Sequence, residues 1–341
     1  MKTHIQTLDS GPGISCKKTL SLGLLVVLVL ATVPALAQSA QAATECPGSR
    51  SASSGYSYFC INDNWVLYGL TPGGWVAKAC IYNVGNGATV LTNDTILYAN
   101  DTRAYTIQMC PYASLSAFQP AGSGSTSGSG IIPGYTGWIE QVADHDSNVL
   151  NDFSGDWTVP SSPTDTTDGQ TIFLWIGLDA SSTGDSADLI QPVLQWGPSA
   201  AGGGTHYSID SWYIDFSSNT YYYGTLVSVS STDTIEGAVS LDGCGHGLCV
   251  TTILTKDTTS GNYATLNADI YGLNYGYVVL EVANWTQCSD YPASGATTFS
   301  SLSQTDSSGS YTPSWTGTTL HNDSCGESQT ITSSSSVTLN Y

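Results

Sequence analysis

Positive charge is what this 341-residue chain has least of: seven Lys and Arg stand against 27 Asp and Glu, a formal net charge of −20. That balance excludes a general binder of nucleic acid or of anionic membranes, since both require basic patches to neutralise phosphate. Long apolar runs are also scarce. One lies near the start and no other approaches the roughly 20 residues of a membrane-spanning helix. No segment carries the i, i+3, i+4 pattern of an amphipathic helix, and no repeat of fixed period runs along the chain. Several hydrolase signatures are missing as well. Beyond the N-terminal leader there is no Gly-x-Ser-x-Gly elbow and no Asp-Thr-Gly or Asp-Ser-Gly pair, Asp306-Ser-Ser-Gly309 being one residue too long. Asp144-His145-Asp146 sits in a polar stretch without a partner serine motif, and no Glu-x-Asp-x-Glu strand of the glycosidase type is present.

What the chain does contain begins with an export signal. Lys17 and Lys18 precede an apolar run at 20–36, which exits through Ala35-Leu36-Ala37 and Ala40-Gln41-Ala42. A basic start, a short apolar stretch and small residues at the exit read as a cleavable secretory signal over residues 1–43, with an uncleaved anchor as the alternative. Secretion to the extracellular side is therefore expected, with no membrane attachment after cleavage. Cleavage would remove Lys2, Lys17, Lys18 and Asp9 and leave four basic and 26 acidic residues, a net charge near −22. Such a surface repels itself at neutral pH and loses most of that repulsion in acid, where carboxylates are protonated.

Cysteine agrees with export. Past Cys16 in the leader there are eight: Cys46, Cys60, Cys80, Cys110, Cys244, Cys249, Cys288 and Cys325. An even number in an exported chain argues for disulfides. Four fall on each side of a Gly/Ser stretch, so pairing within halves is expected. A zinc site at Cys244-Gly-His246-Gly-Leu-Cys249 is the weaker reading, because His246 is crammed between the two thiols. Four Asn-x-Ser/Thr sequons also fit a secreted surface.

Composition divides the chain into a small Cys-containing β-rich module at 44–119, a Gly/Ser linker at 120–131 and a larger domain at 132–341. The module reads as an accessory binding unit rather than a removable propeptide, since it holds only Arg50, Lys78 and Arg103 as basic groups. The larger domain is rich in Thr, Ser, Tyr, Val and Gly, with turn residues every eight to twelve positions. That spacing predicts antiparallel strands in a sandwich or barrel, here at 171–178, 189–196, 208–216, 221–229, 234–241, 250–256, 264–270, 277–283 and 335–341.

Glu is rare in the expected mature chain: Glu45, Glu140, Glu236, Glu281 and Glu327. Glu281 interrupts an apolar strand, and period-two alternation puts it on one face with Tyr277, Val279 and Ala283. A mid-strand carboxylate among apolar neighbours either faces a wet groove or carries a raised pKa, and both suit a general base. The plainer reading is a solvated residue on an outer face. Gln191, Val193 and Gln195 likewise share a face. A strand amide can donate to a developing oxyanion, though ordinarily it would bond a neighbouring strand.

The order of motifs resembles that of the glutamic peptidases (eqolisins). Phe153-Ser-Gly-Asp-Trp157-Thr-Val-Pro160 is similar to that family's entry strand. It is followed by Trp175-Ile-Gly-Leu-Asp179, Val193-Leu-Gln195-Trp-Gly197, Ser211-Trp212-Tyr213 and Leu280-Glu281-Val-Ala. The resemblance spans residues 150–305. Ala180 replaces the usual Gly, Val282 follows Glu281 where the family has Trp, and Gln191 competes with Gln195 for the catalytic amide.

The resemblance implies an all-β fold, a concanavalin-like sandwich of two curved antiparallel sheets. It implies an endopeptidase working in acid on protein or peptide substrates, with no metal or cofactor. Glu281 would be the general base on water and Gln195 (or Gln191) the oxyanion donor. Trp175, Asp179, Trp212 and Tyr213 would line the groove. Core packing is the competing reading for Trp175, Trp212 and Tyr213 and a turn role for Asp179, and a carbohydrate-binding or glycan-active sandwich is the rival function. A monomer is expected.

Overall fold

The computed structural model describes residues 50–61, 64–98, 101–112, 115–116, 135–180, 188–245, 248–321 and 324–341. The segment 1–43 expected as a signal, Cys46 and the linker at 120–131 lie outside them. Among the described residues there is no α-helix; strands and two short 3-10 turns, Lys78–Cys80 and Cys288–Asp290, make up the regular structure. No helix there is long and apolar enough to cross a membrane.

Alternation fixes the architecture. In strand Thr171–Asp179, Ile172, Leu174, Ile176 and Leu178 point one way and meet Leu194, Val278, Leu280 and Val282 of the two flanking strands in one apolar cluster. Such a face is stable only against a second sheet, and the second sheet supplies Phe153, Trp157, Val239, Ile253 and Leu266 to the same cluster. The result is a sandwich of a nine-stranded and an eleven-stranded sheet. At the centre of the nine-stranded sheet, Tyr275–Trp285, Thr171–Asp179, Asp188–Ser199 and Gly202–Asp215 lie side by side, each antiparallel to the next. Nearly all the expected strands are present within a residue or a few of their predicted ends. The segment expected at 221–229 is split into Thr220–Tyr223 and Val227–Ser228.

The sheets do not respect the compositional division at the Gly/Ser stretch. Strand Ile81–Asn83 pairs in parallel with Thr220–Tyr223 at the edge of the nine-stranded sheet. Thr89–Val90 pairs in parallel with Tyr263–Tyr271, and Thr95–Tyr98 and Asp101–Thr106 extend that sheet further. The physical reason is that both sheets end in open edges, which the earlier segment closes. The remaining strands, Tyr56–Ile61, Asn64–Thr71, Gly74–Ala77 and Leu115–Ser116, form a four-stranded sheet of their own. It packs on the outer face of the nine-stranded sheet through Tyr68, Leu70, Val76 and Ala77.

Two disulfides are described, one within each half: Cys80 to Cys110 and Cys288 to Cys325. Cys60 and Cys249 are disulfide-bonded as well. The side chain of Cys244 and the whole of His246 lie outside the described residues.

Candidate functional site

The outer face of the nine-stranded sheet gathers most of the residues singled out from the sequence. Antiparallel register places Phe173 opposite Glu281 on one side and opposite Gln195 on the other. Glu281, Phe173 and Gln195 thus form one row on one face. Four residues along, Tyr277, Gly177 and Gln191 form a second row, continued by Trp212. Trp175 and Asp179 share this face by alternation. Trp175 meets Trp138 edge-on with ring centroids 5.1 Å apart, and Trp212 lies against Tyr223 at 5.0 Å.

Tyr213 does not belong to this groove. As the neighbour of Trp212 in an extended strand it must point the opposite way. It is buried inside the sandwich, stacked on Tyr222 and donating its hydroxyl to Asp188 at 2.7 Å.

Glu281 is fully buried, and its surroundings are specific. The turn joining Asn64–Thr71 to Gly74–Ala77 reaches down onto it, and the Gly73 amide donates to its Oε1 at 2.8 Å. Gly73 has φ of 106°, a region open to glycine and strained for other residues, so the turn depends on glycine there. Burial pushes the Glu281 carboxyl up to about 8, partly offset by the Gly73 amide and the Trp175 and Trp138 indoles. A carboxyl in that range is protonated in acid and at neutral pH.

Gln195 is equally buried but committed. Its Nε2 donates to the carbonyls of Gly197 (2.7 Å) and Gly202 (3.0 Å), and its Oε1 accepts from the Ser199 hydroxyl at 2.9 Å. All its polar atoms therefore serve the hairpin between its own strand and the next. With Phe173 between them, Glu281 and Gln195 stand two strands apart, roughly 10 Å by strand spacing. The row is shared, but the pair is not in contact by that spacing. Gln191 is the opposite case: it is fully buried and neither amide atom has a hydrogen-bond partner. Only the hydrogen of Gly177 separates it from Tyr277 in the register. A Cβ at Gly177 would come within 2.5 Å of the Ile190 carbonyl, so that gap is fixed by packing.

Two further residues join the site. Asp210 lies on the same outer face, fully buried, and burial raises its carboxyl to about 8 against the Ser211 and Gly224 amides. Its strand is polar, with Ser208, Ser211 and Asp215 nearby, so the mid-apolar-strand signal that marks Glu281 does not single it out. Trp138, packed beside Glu281, belongs to a strand before the first of those predicted. Gly73 carries no such signal, because 208 positions separate it from its partner.

No family model matches the chain, and no curated protein matches it. Among solved structures, scytalido-glutamic peptidase bound to a peptide-based transition state analogue is similar over 60% of this chain and 99% of its own, at 14% identity and a TM-score of 0.43. SCP-B, a member of the eqolisin family of peptidases in complex with the tripeptide Ala-Ile-His, covers 62% and 99% at 14% identity and a TM-score of 0.41. The PL-14 alginate lyase of Aplysia kurodai covers 74% and 92% at 10% identity and a TM-score of 0.23. Similarities this low transfer neither residues nor activity.

Proposed function

We infer that this chain is an exported, acid-acting peptidase held in a closed form, with Glu281 as its general base. The observation that carries the reading is the contact between Glu281 and the Gly73 amide. The groove floor of Trp138, Phe173 and Trp175 already holds a polypeptide turn, and its carboxylate already reads a peptide N–H. An extended substrate would engage the same groups in the same way. Glu281 would then take a proton from a water attacking the scissile carbonyl and return it to the leaving amine, a contribution of about 10²–10⁴-fold in rate.

The closed form is inactive for two reasons. The turn occupies the substrate's place, and burial keeps the carboxyl protonated so that it cannot act as a base. Displacing the turn admits water and lowers the pKa toward the ordinary carboxylate range. Segment 50–116 acts on this reading as an inhibitory cover, braced internally by the Cys80–Cys110 disulfide and held to the larger domain by the bond from the Ala200 amide to the Leu70 carbonyl.

The test is cleavage of a denatured protein substrate between about pH 2 and 7. It compares wild type, Glu281→Gln and a double variant, Cys80→Ser with Cys110→Ser, that loosens the cover. Acid-range cleavage that rises in the double variant and vanishes with Glu281→Gln establishes the reading. A second reading, a glycan- or peptide-holding sandwich without hydrolysis, is favoured by one observation, the complete engagement of the Gln195 amide. If the loosened variant cleaves nothing at any pH, that second reading replaces the first.

A further inference from the structure

Away from the covered face, two loops bring three carboxylates together. Asp165 and Asp168 lie in the loop before strand Thr171–Asp179, and Asp290 ends the 3-10 turn Cys288–Asp290 that follows strand Tyr275–Trp285. Each offers one oxygen, and these oxygens all lie within 4.8 Å of one another. That limit is the span of two Ca–O bonds of about 2.4 Å placed opposite each other.

The hydrogen bonds around the cluster leave its charge uncompensated. Asp165 accepts from Thr167 and from the Gln287 amide group, Asp168 accepts from the Thr286 hydroxyl, and Asp290 Oδ2 accepts from the backbone amides of Thr286 and Gln287. All these donors are neutral. Asp290 is fully buried, yet its second oxygen, Oδ1, has no hydrogen-bond partner. A buried, unpartnered carboxylate oxygen costs several kcal/mol unless a charge meets it. Exposure grades from the buried Asp290 through the half-buried Asp165 to the open Asp168, which leaves one side for water ligands.

We propose that Asp165, Asp168 and Asp290 form a calcium site that ties the two loops together. The donor set is all oxygen, with no His or Cys, which selects a hard cation over zinc or copper. Calcium suits an irregular, partly hydrated cup; magnesium demands stricter octahedral geometry and shorter bonds. The two loops flank adjacent strands, those of Phe173 and Glu281, so the bound ion would fasten their shared end. The Cys288–Cys325 disulfide anchors the same turn to the C-terminal segment. None of this depends on whether Glu281 hydrolyses peptides.

The experiment is calcium titration of the full secreted protein at pH 6 by calorimetry, with thermal melting in EDTA, in CaCl₂ and in MgCl₂. The expected result is saturable binding of one ion and a melting temperature roughly 5 °C higher in calcium than in EDTA, with a smaller rise in magnesium. Asp168→Asn, an exposed change that leaves the fold intact by circular dichroism, should weaken binding by about tenfold or more. Asp165→Asn should do the same. Absence of both heat and melting shift overturns the proposal. So does a calcium effect that survives undiminished in both variants, since the ion would then sit elsewhere.

Discussion

The two faces of the same central strands are equally buried and differently made. On the inner face, Ile172, Leu174, Leu194, Leu280 and Val282 meet the opposing sheet in an apolar cluster, with Glu140 opposite Leu280 and Gln304 against Gly276 as buried polar exceptions. On the outer face, one residue away in each strand, Phe173, Trp175 and Val279 are interleaved with Glu281, Gln191 and Gln195. Burial is therefore not what separates them. The inner face is closed by a mainly apolar contact between the two large sheets. The outer face is closed by a turn that leaves an amide unpaired and carboxyls shifted toward neutrality, at a cost that an apolar face would avoid.

The largest effect that would sharpen this comparison is on pH. Glu281 and Asp210 are each raised by burial to about 8, above their ordinary carboxylate values. A raised carboxyl stabilises the closed fold fully below its unfolded value, near pH 4, and that stabilisation is lost as pH climbs through 8. The loss is on the order of 3–5 kcal/mol per group as an upper figure. Urea midpoints should accordingly fall between pH 4 and pH 8, and Glu281→Gln should flatten the fall. A Glu281→Gln variant whose midpoint falls as steeply as that of wild type would break the distinction between the faces.

Next in size is Leu280→Ala on the inner face, which should cost about 2–5 kcal/mol through the cavity it leaves. The smallest effect belongs to Gln191→Leu. Removing an unpaired buried amide in favour of an apolar side chain of similar size should leave stability within about 1 kcal/mol of wild type, or raise it. A loss above about 2 kcal/mol would mean the amide is engaged after all.

Much of this was legible in the sequence because alternation is a local property. The strands around Phe173, Gln195 and Glu281 follow directly from period-two patterning, and so does the shared face of Tyr277, Val279 and Glu281. Tyr213 went astray by the same rule: grouped with Trp212 by motif, it points the other way by geometry. Register between strands is not local, and it is register that puts Phe173 between Glu281 and Gln195. The cover was hidden for a similar reason. Composition breaks at the Gly/Ser stretch, whereas pairing across it depends on which sheet edges lie open, a fact that exists only once both sheets are formed.

The parallel pairings of Ile81–Asn83 with Thr220–Tyr223 and of Thr89–Val90 with Tyr263–Tyr271 also set an order of events in time. The segment that is synthesised first finds its partners last, because the edges it completes belong to strands far down the chain. Closing such long loops before any contact rewards them makes folding slow and keeps early strands unpaired meanwhile. The chain should accordingly assemble its sandwich first and seat its N-terminal strands as a late, separable kinetic phase, visible in refolding as a delayed burial of Tyr68 and Trp75.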